Sequence, residues 1–135
     1  LSDDNPHTGR SSLRIEMSLP AGTNRQELKI FTKPVPLDQL QRLRLWLYGD
    51  GSGRKLIVRV RDASQEQHYF TAAPITWTGW AEVVCDFQAG PVTIAGGDEN
   101  KRIDGPTVTI VLQIGHEAGQ PSHSVLYLDD LGVSP

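Results

Sequence analysis

The chain has one cysteine, Cys85, in 135 residues, so no internal disulfide can brace it and thiol usage does not reveal its redox compartment. Stability must come from an apolar core or from a metal. Apolar runs are only a few residues long, far short of the roughly 20 that a membrane-spanning helix needs, so no membrane partner is expected. Basic residues are also few: 13 Lys and Arg stand against 16 Asp and Glu, a net charge of −3. The acids are interspersed, which leaves no clustered positive face for phosphates and argues against nucleic acid. Long amphipathic helical periods are missing, and with them the βαβ architectures. The sequence opens at Leu1 without Met or a signal-like apolar segment. It reads as one domain, residues 1–135, excised from a larger multidomain protein.

Catalytic constellations are equally scarce. Glu16, Glu27, Glu66, Glu82, Asp86 and Glu117 are scattered, with no pair placed to face each other across a cleft as glycoside hydrolysis requires. A Gly-x-Ser-x-Gly elbow is absent. Cys85 falls in the alternation Ala81, Val83, Cys85, Phe87, the setting of an inert core thiol. Gly49-Asp50-Gly51-Ser52-Gly53 lacks the Gly-Lys-Ser/Thr ending of a phosphate loop and lies between two strand-like runs, so it reads as a hairpin connection. His7, His68, His116 and His123 are far apart in sequence, and only His116 and His123 are placed to converge, across the loop 116–123. A solvated loop explains that pair more simply than a transition-metal site. The expectation is a domain that is not an enzyme. A small lyase or hydrolase would need two carboxylates, or a metal with an open position, in one groove.

What the sequence does have is alternation. Leu13, Ile15, Met17 and Leu19 fall on one face, with Arg14, Glu16 and Ser18 on the other, which is the two-residue period of a half-buried strand. Similar runs follow at 27–32, 42–48, 55–61, 67–71, 80–87, 107–114 and 124–129, bounded by Gly, Pro, Asn or Asp. Leu37, Leu40 and Leu43 have helical spacing, which predicts a short helical turn over 37–41 before the next strand. The segment 88–106 predicts weak structure with a surface loop near 96–102. The sum is an all-β, antiparallel β-sandwich or jelly roll of two packed sheets with about eight to ten strands.

One face of this sandwich suggests binding. With Leu43, Leu45 and Leu47 inward, Arg42, Arg44, Trp46 and Tyr48 point outward; with Leu56, Val58 and Val60 inward, Arg59 and Arg61 do the same. Pairing of these two runs as a hairpin would set Arg, Trp and Tyr side by side, with Gln113 and Tyr127 in comparable outward phase. Sugar C–H faces pack on such rings, and hydroxyls bond to Arg and Gln. The plainer alternative is that Trp46 covers a half-buried sheet while the arginines pair with acids. Of the Thr76-Trp77-Thr78-Gly79-Trp80 tryptophans, Trp80 is expected as a packing anchor and Trp77 is open to either role. Asp129 and Asp130 are either solvated or ligands for calcium, with Asp3, Asp4 and Asn5 available if first and last strands are neighbours.

Four segments in order resemble galactose-binding-domain-like jelly rolls of bacterial carbohydrate-binding modules. They are His7-Thr8-Gly9-Arg10-Ser11-Ser12-Leu13-Arg14-Ile15, Leu45-Trp46-Leu47-Tyr48-Gly49-Asp50-Gly51-Ser52-Gly53 with 56–62, the block 75–84 around Thr78-Gly79-Trp80, and Leu126-Tyr127-Leu128-Asp129-Asp130-Leu131. Family 11 modules of glycoside hydrolases are the most similar in kind. The resemblance implies a monomeric, secreted or cell-surface module that binds a polysaccharide or oligosaccharide in a shallow groove and serves a linked catalytic domain. It implies a structural Ca2+ near the termini, with Asp129 and either Asp3 or Asp4 as ligands. Domains of this kind also occur as structural or protein-interaction appendages without a glycan.

Overall fold

The computed structural model describes residues 1–35 and 41–134. Nine strands form among them: β1 (Leu13–Ser18), β2 (Arg25–Val35), β3 (Arg42–Asp50), β4 (Leu56–Arg61), β5 (Gln67–Thr71), β6 (Thr78–Asp86), β7 (Val92–Ala95), β8 (Thr107–Gly115) and β9 (His123–Ser134). One sheet has the order β1-β9-β3-β6 and the other β2-β8-β4-β5-β7. Every pairing is antiparallel. The order is that of a jelly roll with one extra edge strand, β7, and the expected β-sandwich is what forms. β7 lies in the segment expected to be weakly structured; at four residues, paired to β5 alone, it is too short to show a period. The helical turn expected from Leu37 and Leu40 lies outside the described residues.

Alternation decides the core. Leu43, Leu45 and Leu47 of β3 meet Leu56, Val58 and Val60 of β4 across the sandwich, all fully excluded from water together with Leu19, Ile75, Leu112 and Leu126. Each such side chain contributes roughly 1.5–3 kcal/mol by leaving water. Cys85 belongs to this layer, and burial pushes its thiol up to about 12, so it stays protonated.

The expected β3–β4 hairpin does not form. The two strands lie in opposite sheets, because both carry inward apolar rows that face each other across the core. The glycine-rich link 49–53 is therefore an arch between sheets. It runs along residues 75–77 instead, with the Gly51 amide donating to Trp77 O at 2.8 Å and the Gly53 amide to Ile75 O at 2.8 Å. Trp77 packs on the core and its Nε1 donates to Leu47 O at 3.2 Å. A Cβ on Gly49 would sit 2.5 Å from Trp77 O, so only glycine fits beneath the indole. Trp77 is thus the packing anchor. Trp80, expected in that role, pairs with Tyr48 on the outer face.

Candidate functional site

Because β3 and β4 part, the expected binding face splits in two. Arg44, Trp46, Tyr48 and Tyr127 stand on the outer face of the four-stranded sheet; Arg59, Arg61 and Gln113 stand on that of the five-stranded sheet. The two sets are on opposite sides of the core and share no groove.

The four-stranded face is closed by the chain itself. Tyr48, Tyr127 and Trp80 lock edge to face, with centroids 5.5 and 5.7 Å apart for the two pairs that share Tyr48. Trp46 carries His7 stacked on it at 3.9 Å and 18°. The closing acids hold that histidine in place. Between Arg44 and Trp46 the β3–β9 register shifts, and Asp130 takes a left-handed φ of 48°. This bulge interrupts the strict alternation of β9 beneath the N-terminal segment, so consecutive acids Asp129 and Asp130 both reach it. Asp129 Oδ2 accepts the His7 and Thr8 amides at 3.0 and 3.2 Å, and its Oδ1 accepts the Asp130 amide at 2.8 Å. Asp130 takes His7 Nδ1 and Thr8 Oγ1, both at 2.6 Å, and these bonds hold its carboxyl below the usual range. Arg44 pairs with Glu82 at 3.4 Å. Asp4 bonds Ser2, and Asp3 and Asp4 do not join Asp129 as a group of three close ligand atoms among the described residues.

The five-stranded face is packed too, with the Arg59 side chain 15% exposed and Val111 buried beside it. Arg59 sits over the Tyr69 ring, 5.5 Å from its centroid, and reaches Glu27 at 3.4 Å. Tyr69 OH bonds Gln67, and Arg61 bonds Gln65. One residue row along, Ile57 and Gln113 line a hollow of about 320 Å³ with Asn24, Arg25, Lys55 and His116. Tyr69 is a member not expected from the sequence. Its outward phase on β5, opposite Arg59, is the signal that would have found it.

His116 and His123 do not converge. His116 Nδ1 faces Arg54 Nη1 at 2.7 Å, while His123 Nε2 meets Glu16 at 2.9 Å. A different group forms at the far end of β4. Asp62, Glu66 and His68 are all buried, and a ligand atom from each lies within 4.8 Å of the others. His68 Nε2 is 3.3 Å from Glu66 Oε2 and 3.5 Å from Asp62 Oδ2. Burial raises the Asp62 carboxyl, but the Asp104 amide, Ser64 hydroxyl and Glu66 amide outweigh it and hold the group ionised below its ordinary range. In sequence Glu66 stands among scattered acids and His68 among separated histidines. The signal was His68 sharing the inward phase of Phe70, two residues after Glu66 and six after Asp62. No protein-family model matches the chain, and no curated protein matches it in sequence, so geometry carries the functional argument.

Proposed function

We propose that the chain is a non-catalytic carbohydrate-binding module that holds a linked catalytic domain on polysaccharide outside the cell, and that the glycan lies on the five-stranded sheet. The observation that carries this reading is the Arg59–Tyr69 pair beside the Gln113 hollow. An aromatic body with a cation, a carboxylate at Glu27 and an amide at Gln113 offers one apolar patch and donors and acceptors on both sides. Pyranose rings need that mixture. On the opposite face His7 stacks on Trp46 at 3.9 Å, closer than the 5.5 Å at which Arg59 lies over Tyr69, which favours the five-stranded sheet in this reading.

Affinity electrophoresis through soluble β-glucans, xylans and galactans tests the assignment. Wild type is expected to be retarded by at least one polymer, with Tyr69→Ala and Arg59→Ala each weakening binding about tenfold, the equivalent of losing roughly 1.4 kcal/mol. Trp46→Ala should leave retardation unchanged. Loss with Trp46→Ala alone would move the glycan to the four-stranded face. No retardation by any polymer would favour the structural-appendage reading.

A further inference from the structure

We propose that Asp62, Glu66 and His68 bind one divalent transition-metal ion of the zinc class. Two atoms of this buried group lack hydrogen-bond partners: Glu66 Oε2, in a residue fully excluded from water, and His68 Nε2, in one 1% exposed. Leaving such groups unpaired is destabilising, and more so for a charge. They face one another at 3.3 Å without hydrogen-bond geometry, and Asp62 Oδ2 stands 3.5 Å from the same nitrogen. Ligands about 2.1 Å from a tetrahedral zinc ion lie about 3.4 Å apart. The two separations from His68 Nε2 match that spacing, and all three ligand atoms lie within 4.8 Å of one another.

The donor set selects the metal. One imidazole with two carboxylates suits zinc and its neighbours, whereas calcium takes oxygen ligands throughout. With a neutral imidazole, two carboxylates bring two negative charges into the interior, and a dication balances them. Asp62 Oδ2 also accepts the Asp104 amide at 3.1 Å, which leaves it a second lone pair for an ion, and the remaining oxygens are engaged. Glu66 Oε1 accepts the Lys101 amide at 3.3 Å, and Asp62 Oδ1 accepts the Glu66 amide at 2.9 Å. Such outer contacts aim the ligating atoms. Gly97 closes the loop so tightly that a Cβ there would lie 2.4 Å from the Glu66 amide nitrogen. His68 lines a cleft of about 600 Å³ with Lys101 and Ile103, and Glu66 lines a hollow of about 190 Å³ with Lys101 and Glu99, so the group lies just beneath the surface between the two.

The competing account is an imidazolium trapped between two carboxylates, and a metal titration separates the two. Protein stripped with EDTA and dialysed is titrated with Co2+, with Zn2+ and Ca2+ as competitors, and its melting temperature is measured with and without Zn2+. One Co2+ per chain should give intense visible bands that Zn2+ abolishes and Ca2+ does not, and Zn2+ should raise the melting temperature by several degrees. Glu66→Gln, which preserves shape, should weaken Co2+ binding at least tenfold, and His68→Ala should abolish the bands. Should His68→Ala fail to fold, the wild-type titration and Glu66→Gln still decide. Absence of both bands and Zn2+ stabilisation would overturn the proposal in favour of the imidazolium. Binding unchanged in Glu66→Gln would place the ion elsewhere, and displacement by Ca2+ would overturn the metal class.

Discussion

At one end of β4 the sandwich buries a cation, Arg54, and at the other it buries the acids Asp62 and Glu66 with His68. Arg54 is fully excluded from water, yet the chain supplies its partners. Nη1 donates to His116 Nδ1, which places the ring proton on Nε2, and Nη2 donates to Pro121 O. Asp50 supplies opposite charge. Burial raises its carboxyl, but the Ser124 and Ser52 donors and the Arg54 charge hold it below its ordinary range. Nε is the one guanidinium nitrogen left unpartnered. At the Asp62 end, by contrast, the unpartnered atoms are a carboxylate oxygen and an imidazole nitrogen aimed at each other. A buried charge answered by its own chain is a strut, and the Glu66–His68 end lacks that answer at two atoms.

Removing the strut should have the largest effect. Arg54→Met leaves half-buried Asp50 without its nearby countercharge, and His116 Nδ1 and Pro121 O without their donor, and a loss of about 3 kcal/mol is expected from urea denaturation. The loss should be the same with Zn2+ or EDTA, because this end holds its own partners. A cost below about 1 kcal/mol would mean that the guanidinium is dispensable there, and the contrast between the ends would fail.

Gly97→Ala tests the opposite end and should cost less, about 2 kcal/mol. Its φ of 67° suits glycine, and the added Cβ would meet the Glu66 backbone. Three non-glycine residues nearby, Gln65, Glu99 and Lys101, also hold left-handed φ values of 73°, 57° and 64°. Such strain persists where surrounding contacts impose it. The variant should lose Co2+ affinity along with stability, whereas Arg54→Met should lose stability alone. Equal Co2+ affinity in wild type and Gly97→Ala would show that the loop does not position Glu66.

The phase of the longer strands such as β1, β3 and β4 was legible in the sequence because water on one side and core on the other impose a two-residue period; four-residue β7 was too short to show one. Which strands pair was not. Leu43–Leu45–Leu47 and Leu56–Val58–Val60 have the same pattern whether they lie side by side or face to face, and only the arch at 49–53 against residues 75–77 decides it. That ambiguity joined Trp46 and Arg59 on one imagined face. Period also misassigned Trp80, which leads a strand of core residues but falls in the outward phase. The buried charges were hidden for another reason. Arg54 beside Lys55, and Asp62 and Glu66 in a turn rich in polar residues, look solvated until the opposing loop at 116–121 or 97–104 is folded over them. His68 alone carried an inward phase that marked it.

The smallest expected effect compares the ends through acid. Asp50 and Asp62 both have folded values below the ordinary aspartate value of 3.8. Each therefore contributes stability that is fully present above that unfolded value and is lost as pH falls through its lower folded value. Urea midpoints should stay level from neutral pH to about pH 5 on account of these two groups and fall below about pH 4. Asp50→Asn and Asp62→Asn should each flatten that acid limb, at some cost in stability at neutral pH. The double variant should flatten it by the sum, since the two carboxylates flank β4 at opposite ends and share no partner. A double variant no flatter than either single one would show that the two ends protonate as a unit.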